Sequence, residues 1–256
     1  IVATLMEIRI SLLDDYIQCT LYVINEGIRR EDISQGRGAG SVITGMRAGH
    51  LVEQSGKSHA IDFTRPIEIK EVDEIPGVRT VYVDSTPADC IRYAILGEGK
   101  TYDLVLSGIN RGVNMGVDLV YSGTCGAIFE AGRLGHKGIA FSAYFDADFN
   151  ETAKELDGIW ELIDKNGLLN DNLLYNVNIP KVPKGIKVTQ QGSPYFSDEF
   201  VRIEGDIFEQ RGHKIDDVYP NDLTRDTVAT EAGYTTITPL LTTRTNLEVF
   251  EKFKNL

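Results

Sequence analysis

The sequence predicts an α/β fold, a three-layer α/β/α sandwich around a mostly parallel sheet, and three observations lead there. Short apolar runs rich in β-branched residues alternate with helix-like segments. Residues 103–134 form a strand, loop and helix unit: Leu104, Val105 and Leu106 stop at Ser107 and Gly108, a polar loop follows, and residues 125–134 take up a helical pattern. That loop falls at the end of a strand, the carboxyl edge where open α/β sheets build their sites.

Residues 6–13 alternate loosely and end in Asp14 and Asp15, a first strand with carboxylates at its carboxyl edge. Gly36, Gly38 and Gly40 lack the spacing of a dinucleotide loop and a strand before them, so a flexible turn is expected. Residues 61–69 and 79–83 read as strands. Thr86 then serves as an N-cap with Pro87 at the first helical position, and Asp89 in the first turn complements the helix dipole. Beyond the central unit, residues 138–142 form a buried strand. Residues 152–166 make an amphipathic helix with Ala153, Leu156, Trp160 and Ile163 on one face, stopped by Gly167, and Trp160 belongs to the core. Strands follow at 173–179, closed by Pro180 and Pro183, and at 186–189. Residues 190–227 are polar and rich in Asp and Gly, an extended hairpin or arm, before a strand at 234–239 and a closing helix at 246–253. The expected organisation is a single domain, residues 1–256, with a core at about 1–189 and 228–256 and the arm at about 190–227.

Composition bounds the function. With 256 residues, 42% hydrophobic and 25% charged, the chain can bury a substantial core and has the make-up of an ordinary globular protein. Its formal net charge of -12 opposes general nucleic-acid binding, which needs cationic surface to displace counterions. Small phosphorylated substrates stay open, because a helix N-terminus, a metal or one Arg supplies local positive potential. Cys19, Cys90 and Cys125 have neither CxxC spacing nor the density of a disulfide framework, so a reducing cytoplasm is the expected compartment. No apolar run approaches the roughly 20 residues that span a bilayer.

The central loop has the composition of a binding site. Gly108, Gly112, Gly116 and Gly123 allow close backbone approach, and Ser122 and Thr124 place hydroxyls at a helix entrance. Asn110, Arg111, Asn114 and Asp118 crowd the loop with side chains that bind oxygen or metal. Phosphate fits such a strand-to-helix loop best, through backbone N–H groups and the helix dipole. A tight turn with an ordinary N-cap is the alternative for Ser122, Gly123 and Thr124 alone, but it gives no reason for the crowded polar loop. Arg111 either steadies phosphate or pairs with Asp118.

The run from Ser107 to Thr124 resembles the signature loop of the SurE family, the metal-dependent nucleoside monophosphate phosphatases. Similar pieces occur in the family's order at residues 54–59, 86–90, 176–180 and 231–240, so the likeness is nearly continuous from about residue 50 onward and poor before it. The resemblance implies Asp14, Asp15, Ser55 and Asn110 as metal ligands, with Asp14, Asp15 and Asn110 also catalytic. It implies Ser107, Gly108, Asn114, Ser122, Gly123 and Thr124 as the phosphate- and substrate-binding set. Oxygen-only ligation selects one hard divalent cation, Mg²⁺ or Mn²⁺, over zinc. Lys57 and His59 either face incoming phosphate or remain a solvated lysine and a hydrogen-bonded loop histidine.

Two departures stand out. Where the family has Asn-Asp-Asp-Gly after its first strand, this chain has Leu13, Asp14, Asp15 and Tyr16, and tyrosine does not readily take the backbone conformations open to glycine. The family's short Ala-Pro-Asp-like segment is missing between residues 17 and 50. The resemblance implies hydrolysis of nucleoside 5′-monophosphates, extending to 3′-monophosphates and polyphosphate, with either Asp14 or Asp15 orienting the attacking water. It also implies a homodimer or homotetramer in which the arm reaches a neighbouring subunit, while charge and the lack of a long apolar run argue against a nucleic-acid or membrane partner. The altered surroundings of Asp14 and Asp15 motivate an alternative, a catalytically impaired nucleotide- or phosphate-binding protein of the same fold; a purely structural scaffold ranks last.

Overall fold

The computed structural model describes residues 20–24, 44–48, 56–75 and 78–256. The expected strand at 6–13, the turn at residues 36–40, and Asp14, Asp15, Cys19 and Ser55 lie outside the described residues. The strands are β1 (Thr20–Ile24), β2 (Thr44–Ala48), β3 (Ile69–Ile75), β4 (Val78–Val83), β5 (Leu104–Arg111), β6 (Gly138–Ala143), β7 (Leu174–Ile179), β8 (Ile186–Val188), β9 (Phe196–Glu204), β10 (Ile207–Lys214) and β11 (Thr235–Leu240). The helices are α1 (Pro87–Arg92), α2 (Gly123–Arg133), α3 (Phe149–Lys165), α4 (Leu168–Asp171), α5 (Asp226–Glu231) and α6 (Leu247–Phe253).

Among the described residues one 9-stranded mixed sheet runs in the order β3-β4-β2-β1-β5-β6-β7-β11-β8. Its centre is parallel: β5 pairs β6 and β6 pairs β7 in the same direction. β2 and β4 share that direction, while β1 lies antiparallel between β2 and β5. The carboxyl ends of β5, β6 and β7 therefore form one edge.

Period-two alternation sorts the side chains into two layers. Leu104, Leu106, Ile139, Phe141, Tyr175 and Val177 pack on Leu156, Ile159, Trp160 and Ile163 of α3. Val105 on the opposite face meets Cys90 and Ile91 of α1 and Ala127 and Ala131 of α2. Ala140 and Leu174 meet Cys125 and Ile128 on that same side. The expected three-layer α/β/α sandwich is present, and Trp160 lies in its core.

Thr86 caps α1 by accepting from the Asp89 amide, with Pro87 at the first helical position, as expected. α3 starts earlier than the apolar pattern suggests, because Asp148 accepts from the Asn150 amide and caps it. The expected strand at 61–69 is irregular up to Ile69. There Asp62 accepts from the Thr64 amide, Asp89 accepts from the Asp62 amide, and Arg65 donates to Asp84, so side chains take the bonds a ladder would need. β5 also runs past Ser107 and Gly108, where the apolar run was expected to end it. Gly108 has φ 123, and a Cβ there would lie 2.3 Å from the Phe141 carbonyl oxygen, so only glycine carries the strand through the irregularity before Asn110 pairs with Ser142.

The polar region after residue 190 contains a separate antiparallel hairpin of β9 and β10. Leu156 is 1% exposed in the α3 layer. Leu156→Ala is expected to cost about 2–5 kcal/mol in urea unfolding, the range for a cavity left by a buried leucine.

Candidate active site

The site loop leaves β5 at Arg111. Gly112, at φ 116, turns the chain back, its amide donating to the Ala143 carbonyl at 2.8 Å. The Asn110 amide nitrogen Nδ2 donates to the Gly112 carbonyl at 2.7 Å, which directs its donor group into the turn and keeps Oδ1 as the acceptor. Asn114 then stitches the loop to the sheet. Its backbone amide donates to Asn178 Oδ1 at 2.8 Å, its Nδ2 donates to Ser142 Oγ at 2.7 Å, and its carbonyl accepts from Asn176 Nδ2 and Asn178 Nδ2. Ser142, Asn176 and Asn178 are fully buried on the face opposite α3, the side to which alternation with Val177 and Ile179 sends them.

A tight 3₁₀ turn, Gly116–Tyr121, carries the chain to Ser122. Ser122 Oγ accepts from the Cys125 amide at 3.1 Å and caps α2. The first-turn amides of Gly123 and Thr124 thus open the helix at the positive end of its dipole, the arrangement that binds anions.

A second segment is seated against this one. Ser58 donates its amide to the Tyr121 carbonyl at 3.0 Å and its hydroxyl to the Val120 carbonyl at 2.6 Å. The segment lies so close to α2 that a Cβ on Gly126 would fall 2.1 Å from the Ser58 carbonyl oxygen. His59 Nε2 shares a 2.7 Å hydrogen bond with Glu130, which also accepts from Arg92 at 2.9 Å and Arg133 at 2.6 Å. Burial pushes the Glu130 carboxyl up, but the bonds from His59, Arg133 and Arg92 outweigh it and hold the group well below the usual carboxylate range. Beside the segment a cavity of about 570 Å³ is bounded by Ser58, His59, Phe129, Arg133, Leu241 and Arg244.

The structure brings Asn110, Asn114, Ser122, Gly123 and Thr124 into one loop and helix entrance, with Ser107 and Gly108 buried in β5. Asp14, Asp15 and Ser55 lie outside the described residues. Arg111 and Asp118 do not pair: the Arg111 guanidinium lies 4.3 Å from the Phe149 ring centroid, while Asp118 accepts from the Tyr195 and Phe196 amides. His59 is the hydrogen-bonded loop histidine, and Lys57 is exposed. Among the described residues no group of three or more His, Cys, Asp or Glu could hold a metal. Asn110 is a neutral oxygen donor that suits a hard cation, and it needs carboxylate partners from elsewhere in the chain to bind one firmly.

The supports at Ser142, Asn176 and Asn178 escaped sequence reasoning. The signal was there for two of them: asparagines two apart in an otherwise apolar strand place two amides on one buried face, where each must find partners.

A parallel sheet edge that feeds a glycine-rich loop into a capped helix start defines an α/β protein whose candidate site lies at the carboxyl edge of its sheet. A family model described as Survival protein SurE matches residues 51–198. A 5′-nucleotidase SurE from Caldanaerobacter subterraneus subsp. tengcongensis is 34% identical over 212 residues, covering 79% of this chain and 82% of the relative. One from Aquifex aeolicus is 37% identical over 221 residues, covering 79% and 83%. The crystal structure of the Sure protein from Aquifex aeolicus matches with a TM-score of 0.66 at 33% identity, covering 82% of this chain and 86% of that one. The chain belongs to the SurE family.

Glu130→Gln is expected to destabilise the protein by about 2 kcal/mol at neutral pH, since charge-assisted bonds contribute about 1.5–3 kcal/mol and the cationic partners here are partly solvated. The carboxyl is depressed in the folded state, so its contribution is present above about pH 4.3 and lost as pH falls below that. Urea titrations of both proteins at pH 7.5 and in acid should therefore show the gap shrinking in acid.

Proposed function

We propose that this chain is a metal-dependent phosphatase that hydrolyses nucleoside 5′-monophosphates to nucleoside and phosphate. One observation carries the reading: the Asn110 loop is pinned to the sheet and closes onto the capped start of α2, in a chain whose relatives bear the name 5′-nucleotidase. The activity extends in this reading to 3′-monophosphates and polyphosphate, which present the same terminal phosphoryl group.

Ser122, Gly123 and Thr124 hold the phosphoryl oxygens at the α2 entrance, and Ser107, Gly108 and Asn114 form and brace the floor beneath them. Asp14, Asp15, Ser55 and Asn110 are the proposed metal ligands. Two features support that grouping. Ser55 directly precedes Gly56 in the segment that Ser58 anchors to Tyr121. β1, the first described strand after Asp14 and Asp15 in the chain, places Leu21 opposite Ser107 of β5.

One Mg²⁺ or Mn²⁺ bound there would neutralise phosphoryl charge and lower the pKa of a bound water. The chain's own part is positioning and charge stabilisation: Asp14 or Asp15 aligns the water opposite the leaving nucleoside oxygen, while the first-turn amides and dipole of α2 take up charge on the phosphoryl oxygens.

We extend the proposal to assembly, a homodimer or homotetramer in which the arm at about 190–227 engages a neighbouring subunit. A two-stranded hairpin is marginal alone, and this one exposes Phe200, Ile203 and Ile207, as α6 exposes Phe250 and Phe253. No helix among the described residues is long and apolar enough to cross a membrane, and a cytoplasmic setting is proposed from the scattered cysteines.

Phosphate release from a panel of nucleoside monophosphates, with Mg²⁺ or Mn²⁺ and with chelator, tests the reading. Release is expected only with metal, and Asn110→Ala should lower kcat/KM by at least about 10²-fold, the scale for losing one oxyanion-stabilising group. Folded protein that binds nucleotide without turnover under any metal would replace this reading with that of an impaired binding protein.

A further inference from the structure

Asp226 opens α5 with 0% exposure, and among the described residues it forms no ion pair. A buried carboxylate needs donors, and its donors come from three separate places. Oδ1 accepts from the Gly192 amide at 2.7 Å, from the Thr227 amide at 2.8 Å and from the Gly116 amide at 3.1 Å, and Oδ2 takes the Gly116 amide at 3.2 Å. Capping α5 would use the Thr227 amide alone. The bonds from the Gly116 and Gly192 amides join the start of the 116–121 turn to the segment that enters the hairpin.

The same two segments are joined twice more. Asp118 Oδ2, within the turn, accepts from the amides of Tyr195 and Phe196 where β9 begins. Gln191 Nε2 donates to the Gly116 carbonyl at 2.9 Å. The backbones touch, since a Cβ on Gly116 would lie 2.0 Å from the Ser193 carbonyl oxygen. The base of the hairpin is in turn clamped by one carboxylate: Glu231 accepts from Tyr195, which precedes β9, from Lys214, which ends β10, and from Tyr144 beyond β6.

Turn and hairpin base are thus one body, and the turn ends at the Ser122 cap that sets the entrance of α2. We infer that Asp226 and Asp118 are positioning residues for phosphoryl transfer: they set the phosphate-binding entrance of α2 from the base of the β9–β10 hairpin. Neither touches substrate. The inference rests on the reading of Ser122, Gly123 and Thr124 as the phosphate cradle. It makes the seat of the hairpin, and any second copy of this chain that grips the hairpin, a determinant of phosphate affinity.

The test uses the full chain and the substitutions Asp226→Asn, Asp118→Asn and Glu231→Gln, with Asn110→Ala as the control for the site. Asparagine at 226 turns an NH₂ group toward the Gly116 amide that Oδ2 now shares, and at 118 it removes the negative charge that strengthens the bonds from the β9 amides to Oδ2. Burial pushes the Asp226 carboxyl up to about 6 against the pull of its three amides, so assays at pH 8 keep the wild-type group ionised. KM for a nucleoside monophosphate and the inhibition constant of inorganic phosphate are expected to rise together, about tenfold, in Asp226→Asn and Asp118→Asn. A smaller rise is expected in Glu231→Gln, which loosens only the hairpin side. The double variant at 118 and 226 should exceed neither single variant by more than about twofold, because both act through one turn.

A purely structural role would lower the melting temperature while leaving KM and phosphate inhibition of the folded enzyme unchanged. Values within twofold of wild type in Asp226→Asn and Asp118→Asn, alongside an inactive Asn110→Ala, would overturn the inference. Should Asp226→Asn fail to fold, Asp118→Asn and Glu231→Gln decide it by the same readouts. Full activity in Asn110→Ala would instead remove the site reading, and the coupling with it.

Discussion

The loop between β5 and α2 is mostly glycine and polar residues with few apolar anchors, Met115 and Leu119, and its position depends on the polar side chains buried beneath it. Asn176, Asn178 and Ser142 are fully enclosed on the face of β6 and β7 that α2 covers. Amides in such a place cost several kcal/mol unless paired, and Asn114 supplies the pairing through its backbone amide, carbonyl and side chain. The constraint runs both ways: the sheet needs the loop to satisfy its asparagines, and the loop has one position because the asparagines are fixed by strand register.

Carboxylates do the same work around the margin. Asp89 collects the Ser85 hydroxyl and the Asp62 amide, Glu130 gathers His59, Arg92 and Arg133, and Asp226 gathers amides from three segments. Each joins pieces of chain far apart in sequence. Together they place the 56–62 segment, the 116–121 turn and the start of α2 side by side at the sheet's carboxyl edge.

The hairpin has no comparable internal support. β10 is exposed along its whole length, and Phe200 and Ile207 project into solvent. Its order comes from its base, where Asp118, Asp226 and Glu231 bind it to the body that carries the site. Polar contacts at its base therefore fasten an exposed apolar element to the 116–121 turn that leads into α2.

Much of this was legible in the sequence. Alternation of apolar runs gave the α/β layers, Thr86 and Pro87 announced the start of α1, and the apolar face of residues 153–163 announced α3, because caps and periodicity are local properties of the chain. The density of glycine, asparagine and hydroxyl residues between Ser107 and Thr124 marked the candidate site for the same reason. What tertiary structure alone decided is non-local. That Arg111 turns to Phe149 while Asp118 holds the hairpin, that residues 61–68 exchange a ladder for side-chain bonds, and that Asp226 reaches the amide of Gly116 all follow from which buried donor lies near which acceptor once the sheet is assembled. A sequence lists donors and acceptors; only the packed fold, by excluding water, decides which must find one another.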